Sequence, residues 1–204
     1  MATAPRNGSA ADSPLRHLPN LITVLRILLV PPLALALLDR AYVLALTLTL
    51  IAGFSDALDG FLARHFRWHS RLGALLDPLA DKLLLATCFI GLSLNGAVPL
   101  ALTALVLLRD AVIVGGAIAW QRLVGAVHVH PSLLSKANTL LQIVYVLAVL
   151  AGHALARPLP LPLAVAAVAV GALTLASGVD YVVRWSLRAR NALRVRHGES
   201  QHGQ

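Results

Sequence analysis

Little in this sequence is charged, aromatic or able to cross-link. Only 13% of its 204 residues are charged, 5% are aromatic, and there is one cysteine, Cys88. A soluble domain carries about a quarter charged residues. The shortage excludes a surface built wholly for water. A lone cysteine excludes an internal disulfide, and Cys88 stands in an apolar run, where it packs. The formal net charge is +8, yet the cations are not interleaved with aromatics, which excludes a nucleic-acid groove of the usual kind. Acidic residues are the scarcest charge, nine against seventeen Lys and Arg. No tandem repeat is visible.

What is abundant is apolar sequence, 58% of the chain. Stretches such as Ala41 to Leu50, Leu83 to Ile90 and Leu161 to Leu175 are apolar all round, with no polar face. That pattern marks membrane spans, which need about 20 residues each. The sequence predicts an all-α integral membrane protein with six transmembrane helices. They fall near Leu21–Leu38, Tyr42–Leu62, Gly73–Leu94, Val98–Leu123, Leu133–Ala154 and Leu159–Leu187. Pro31-Pro32 is expected to kink the first. Three regions follow: a polar N-terminal segment (1–19), a six-span membrane domain (20–187) and a basic tail (188–204). The first apolar run is long, carries Arg26 and lacks a small-residue cleavage site, which argues against a cleaved secretory signal.

The cations sit at the ends of apolar segments, as expected for contact with anionic headgroups. Arg6 and Arg16 precede the first span. Arg64, Arg67 and Arg71 lie between spans two and three, and Arg188, Arg190, Arg194 and Arg196 follow the sixth. The alternate connections hold only Arg40 and Arg157. The positive-inside rule therefore predicts that both termini and the Arg64–Arg71 connection are cytoplasmic. The Ala-, Leu- and Arg-rich usage suggests a bacterial plasma membrane.

Four of the nine acidic residues fall within one stretch, SDALDGFLARHFRWHSRLGALLDPLADK, Ser55 to Lys82. Asp56 and Asp59 are three apart, and Asp77 and Asp81 are four apart. On helices each pair shares a face. A short connection makes the two helices antiparallel neighbours, so the four carboxylates can converge. Such anions repel in low dielectric unless something compensates them. Hard carboxylate oxygens suit Mg²⁺ or Mn²⁺. No Cys/His set of the zinc type is nearby, and His65 and His69 read as interfacial residues. Gly60 and Ala63 share the face of Asp56 and Asp59, leaving room for a ligand to approach the backbone. Arg64 can hold a phosphate by two hydrogen bonds, and Gly73 opens a second gap. Simple helix-locking ion pairs would need neither two spaced aspartate pairs nor small residues between them. A transporter would need polar lining through the full membrane depth, whereas the polar residues here collect near one face.

The pattern D-x-x-D-G-x-x-A-R, eight residues, then G-x-x-x-D-x-x-x-D is met by Asp56, Asp59, Gly60, Ala63, Arg64, Gly73, Asp77 and Asp81. It resembles the signature of the CDP-alcohol phosphatidyltransferases. The resemblance implies a six-helix membrane fold, usually a homodimer. It also implies two divalent cations, with Asp56, Asp59, Asp77 and Asp81 as ligands, and release of CMP from a CDP-linked lipid by an alcohol acceptor. Asp81 would also be the general base, since a carboxylate must take the acceptor hydroxyl's proton. Gly60, Ala63, Arg64 and Gly73 would line the nucleotide and diphosphate site. Asn20 and Thr23, in PNLITVLRI (Pro19 to Ile27), would join them.

The resemblance covers roughly Pro19 to Leu150. Within it, Arg109-Asp110 and Ser135-Lys136-x-Asn138-Thr139 are similar to the subfamily that joins CDP-diacylglycerol to phosphatidylglycerol, giving cardiolipin. The alternative subfamily, using glycerol 3-phosphate, typically shows Arg-Glu and a Gly-Lys-x-Lys-Thr stretch. Arg26, Arg109 and Lys136 are the intramembrane cations expected to hold the acceptor. A modest positive pocket suits the singly charged diester of phosphatidylglycerol better than a dianionic phosphate. The other account is that Arg109, Asp110 and Lys136 satisfy one another between helices.

Overall fold

The computed structural model describes the backbone of residues 18–66, 71–123, 132–157 and 159–201. Side chains are described for 23–56, 79–118, 132–157 and 159–186. Among the described residues there are six helices and no strand. They are α1 (Leu18–Leu38), α2 (Tyr42–Phe66), α3 (Arg71–Leu94), α4 (Leu100–Leu123), α5 (Leu133–Ala154) and α6 (Pro160–Gln201). The expected all-α membrane architecture is present. Among the described residues three helical stretches are long and apolar enough to cross a membrane: Leu100–Ile118, Leu133–Ala154 and Pro160–Ser186. Thr23–Leu38 and Tyr42–Asp56 are shorter apolar stretches.

Helix α1 runs unbroken through Pro31 and Pro32, each of which lacks the N–H that would bond one turn back. Helix α6 continues to Gln201 rather than ending near Leu187. Its basic stretch RARNALRVR consists largely of good helix formers, so nothing local stops it.

Three connections use the same turn. After α1, Arg40 (φ 55°) donates its N–H to Leu37 O, and Ala41 N–H reaches Ala36 O at 2.8 Å. After α3, Gly96 (φ 76°) and Ala97 bond back to Ser93 and Leu92. After α5, Ala156 (φ 51°) and Arg157 bond back to His153 and Gly152. This pairing satisfies the last carbonyls of a helix and requires a left-handed residue. Only one of the three is glycine. At its start, α5 is capped by Ser132, whose hydroxyl accepts from Ser135 N–H at 3.2 Å.

The chain divides into two compact units, Met1–Cys88 and Phe89–Gln204. In the first, α1 packs on α2. The buried face of α2 carries Ala45, Thr49 and Ala52, small residues at helical spacing. Asp56 stands one further turn along that face. Helix α1 contributes Thr23, Arg26, Leu33, Ala36 and Leu37. The Thr49 hydroxyl bonds to Ala45 O at 2.8 Å and lies 3.7 Å from Cys88 Sγ. Cys88 is thus a packed residue, as expected.

In the second unit, α6 packs on both α4 and α5. Each helix buries an apolar stripe that turns polar at one end. On α4 it runs Leu102, Val106, Arg109, and on α6 Ala167, Val170, Thr174, Ser177. On α5 the order is reversed, Asn138 and Gln142 before Tyr145, Val149 and Leu150. Helices α4 and α6 therefore run parallel, with α5 antiparallel, and the polar ends coincide. The register is visible at two glycines. A Cβ on Gly171 would meet Leu102 at 3.6 Å, and one on Gly178 would meet Arg109 Cγ at 3.7 Å. Phe89 and Tyr145 stack with ring centres 6.2 Å apart.

Candidate active site

The first unit brings two signature aspartates onto one cation. Arg26, from α1, is 2% exposed. Its Nη1 lies 2.8 Å from Asp56 Oδ1 on α2 and also contacts Asp81 Oδ1 on α3. Both aspartate side chains are 49% exposed. The helical period dictates this: Asp56 continues the buried stripe of α2, and Arg26 follows Thr23 by one turn on the buried side of α1. The spacing argument placed carboxylates from two helices at one point, and Asp56 and Asp81 meet there. The sequence reading set Arg26 in the acceptor pocket. In the structure it sits against these carboxylates, because a buried guanidinium needs anionic partners. Thr23 is fully buried on the same face.

The side chains of Asn20, Asp59, Gly60, Ala63, Arg64, Gly73 and Asp77 lie outside the described residues, as does that of His65. Their backbone is helical throughout. Among the described residues no three Asp, Glu, His or Cys side chains cluster for a metal; Asp59 and Asp77 fall outside that set. The residues present nonetheless fit a divalent cation. Asp56 and Asp81 are hard oxygen donors, they come from different helices, and each is half exposed. Their Oδ1 atoms already converge on a positive charge.

A second polar cluster occupies the second unit. Arg109 is 5% exposed and donates from Nη1 to Asp110 Oδ1 at 2.7 Å. Its Nη2 donates to Ser135 Oγ at 2.6 Å on α5 and to Ser177 Oγ at 2.7 Å on α6. One guanidinium thus ties three helices together. Lys136 is exposed, next to Ser135. The two terminal nitrogens of Arg109 therefore find Asp110, Ser135 and Ser177, and Lys136 does not take part. Deeper along α5, Gln142 Nε2 donates to Thr174 Oγ1 at 3.2 Å, and Thr174 donates to Asn138 Oδ1 at 2.9 Å. Sequence reasoning missed Ser177, Thr174 and Gln142. The available signal was polar residues at helical spacing inside otherwise apolar runs, at 135, 138 and 142 and at 174 and 177.

The sequence profile described as CDP-alcohol phosphatidyltransferase matches residues 16–183. The chain belongs to this family. The match runs well past Leu150 and reaches into α6, so the likeness is broader than the motifs alone suggested. The chain is 33% identical over 150 residues to a cardiolipin synthase (CMP-forming) of Rattus norvegicus, covering 66% of this chain and 50% of that protein. It is 31% identical over 150 residues to the Homo sapiens protein of the same name, again covering 66% and 50%. It is also 35% identical over 192 residues to a probable phosphatidylglycerophosphate synthase of Mycobacterium tuberculosis, covering 90% of this chain and 89% of that one. The chain thus spans about half the length of the rat and human relatives.

Proposed function

We propose that this protein transfers a phosphatidyl group from CDP-diacylglycerol to a hydroxyl of phosphatidylglycerol, giving cardiolipin and CMP. The observation that supports this acceptor is the 2.7 Å ion pair of Arg109 with Asp110. It cancels one cation of the second cluster and leaves Lys136 as the exposed one. A single positive charge matches the singly charged diester of phosphatidylglycerol. The phosphomonoester of glycerol 3-phosphate would ask for more.

In this reading Asp56, Asp59, Asp77 and Asp81 hold two divalent cations, Mg²⁺ or Mn²⁺, whose chemistry when bound is to neutralise charge on the attacking and leaving oxygens. The protein residues do the rest. Gly60, Ala63, Gly73, Asn20 and Thr23 line the nucleotide and diphosphate site, and Arg64 grips the diphosphate. Asp81 accepts the proton of the acceptor hydroxyl, and its half-exposed carboxylate is open to such a hydroxyl. The freed oxygen bonds to the phosphorus that carries diacylglycerol. The bond from that phosphorus to the bridging oxygen breaks, and the electron pair leaves with CMP. Arg26 orients Asp56 and Asp81 from the buried side. Lys136, with Arg109 beside it, holds the acceptor's phosphodiester.

The charge distribution supports both termini in the cytoplasm, and the Ala-, Leu- and Arg-rich usage supports a bacterial plasma membrane, with a catalytic domain over 20–187 between a polar lead-in and a basic tail. The family resemblance supports a homodimer. Phosphatidylglycerophosphate synthesis is the second reading, favoured by the mycobacterial relative, which matches along nearly its whole length. Purified protein given CDP-diacylglycerol and either phosphatidylglycerol or glycerol 3-phosphate decides between them by the lipid formed. Consumption of glycerol 3-phosphate alone would replace the first reading with the second.

A further inference from the structure

The polar chain in the second unit has a direction. Gln142 Nε2 donates to Thr174 Oγ1, and Thr174 passes its own hydrogen to Asn138 Oδ1. A hydroxyl has one hydrogen to give. With Thr174 donating to it, the amide of Asn138 presents its oxygen to α6 and turns its NH₂ group elsewhere. That nitrogen is buried and finds no hydrogen-bond partner among the described residues. Asn138 is itself fully buried, as is Thr174, and Gln142 is 1% exposed. One turn away on α5, Ser135 holds Arg109, whose Nε is likewise buried without a partner.

Both orphans are donors. A buried donor left unmade costs free energy comparable to a lost hydrogen bond, and low dielectric raises the stakes. Two such groups, one on α5 and one on the α4 side chain that Ser135 holds one turn away, with no acceptor among the described residues, fit an anionic oxygen brought by a ligand. Simple packing would favour Leu or Val at these positions instead.

We propose that Asn138 is an acceptor-binding residue that donates from Nδ2 to a phosphate oxygen of the acceptor substrate, with Arg109 Nε as its companion. Thr174 and Gln142 are positioning residues, which fix the amide so that nitrogen and not oxygen meets the ligand. The inference rests on the reading that the acceptor binds at the Arg109–Lys136 cluster. It does not depend on which acceptor is used, since phosphatidylglycerol and glycerol 3-phosphate both present phosphate oxygens.

The test uses full-length protein in detergent micelles with CDP-diacylglycerol and each acceptor in turn. Asn138→Leu removes the donor at similar volume and introduces no buried charge. The expected result is a rise of roughly tenfold to a hundredfold in acceptor KM, the worth of a hydrogen bond to an ionised group. The KM for CDP-diacylglycerol should stay within about twofold. Thr174→Val keeps the shape of its side chain but frees the Asn138 amide to turn. It should raise acceptor KM by a smaller factor, about threefold to tenfold, with the donor KM again unmoved. A loss of melting temperature with acceptor KM unchanged in both variants would show a purely structural network and overturn the proposal. A rise confined to the CDP-diacylglycerol KM would overturn it too, leaving the function reading intact. If the parent consumes only glycerol 3-phosphate, the phosphatidylglycerol reading fails while Asn138 is judged on that substrate's KM. A parent that consumes neither acceptor overturns both.

Discussion

Arg26 Nη1 lies 2.8 Å from Asp56 Oδ1, and the same nitrogen contacts Asp81. The guanidinium is buried while both carboxylates are half exposed. Its positive charge therefore holds together two anions that would otherwise repel. Arg26→Gln should lower stability by roughly 1–3 kcal/mol, less than a fully buried pair because the aspartates keep contact with solvent. Removing the cation also leaves the carboxylates more attractive to another one. Mg²⁺ should raise the melting temperature of Arg26→Gln more than that of the parent, read by thermal unfolding in detergent. Equal shifts in both proteins would mean that Asp56 and Asp81 do not form a divalent site.

Asp81 and Asp56 touch the same nitrogen but are assigned different work. Asp81→Asn keeps hydrogen-bonding capacity and cannot take a proton. Transfer should fall by about 10²–10⁴-fold, the usual share of a general base, with the protein still folded by circular dichroism. Excess chelator should abolish activity in the parent, and Mg²⁺ or Mn²⁺ should restore it. Asp56→Ala should raise the metal concentration needed for half-maximal rate, since it strips an oxygen ligand. Turnover of Asp81→Asn within a few-fold of the parent would remove it as the base.

The crossing of α4 and α6 depends on Gly116. A Cβ there would stand 2.8 Å from Tyr181 Oη, and that hydroxyl donates to Ile113 O at 3.0 Å. The tyrosine ring also packs on Trp185 with centres 5.4 Å apart, so it has little freedom to retreat. Gly116→Ala should destabilise by about 1–3 kcal/mol, as overpacking does. Gly178→Ala adds its methyl at ordinary contact distance from Arg109 and should be close to neutral. Combining Gly116→Ala with Tyr181→Phe should cost less than the sum of the two, because the Phe variant removes the clashing oxygen. Additive melting shifts would show that the two residues do not meet.

Much of this architecture is written locally. Ser132 before an apolar-periodic run marks the start of α5, and Pro99 and Gly96 mark the break before α4. The spacing of Asp56 and Asp59, and of Asp77 and Asp81, announces a shared face on each helix. What spacing cannot announce is the partner from a distant segment. Arg26 stands 55 residues before Asp81, so its carboxylate partner is not visible in its local sequence. Arg109 shows the same limit. Its neighbour Asp110 was visible at once, whereas Ser177, 68 residues on, lies in α6, where only hydrophobicity had been legible. The basic end of α6 reads as a surface tail because charge dominates its composition, although its backbone propensity is helical.

The acceptor is tested most sharply at Lys136. It is exposed at the first turn of α5, beside Ser135, which is held by Arg109. Arg109 is neutralised by Asp110, so the charge offered to a ligand at this cluster is that of Lys136. An ionised hydrogen bond is worth roughly 1.5–3 kcal/mol. Lys136→Ala should therefore raise the KM for phosphatidylglycerol by about tenfold to a hundredfold. The KM for CDP-diacylglycerol should not change, because the proposed function gives the donor's diphosphate to Arg64 and the aspartates. Asp110→Asn gives the converse. It uncovers the charge of Arg109 and should improve use of dianionic glycerol 3-phosphate relative to phosphatidylglycerol, a change in the ratio of kcat/KM values that a loss of stability alone would not produce. Unchanged acceptor kinetics in Lys136→Ala, together with an unchanged ratio in Asp110→Asn, would place the acceptor phosphate elsewhere.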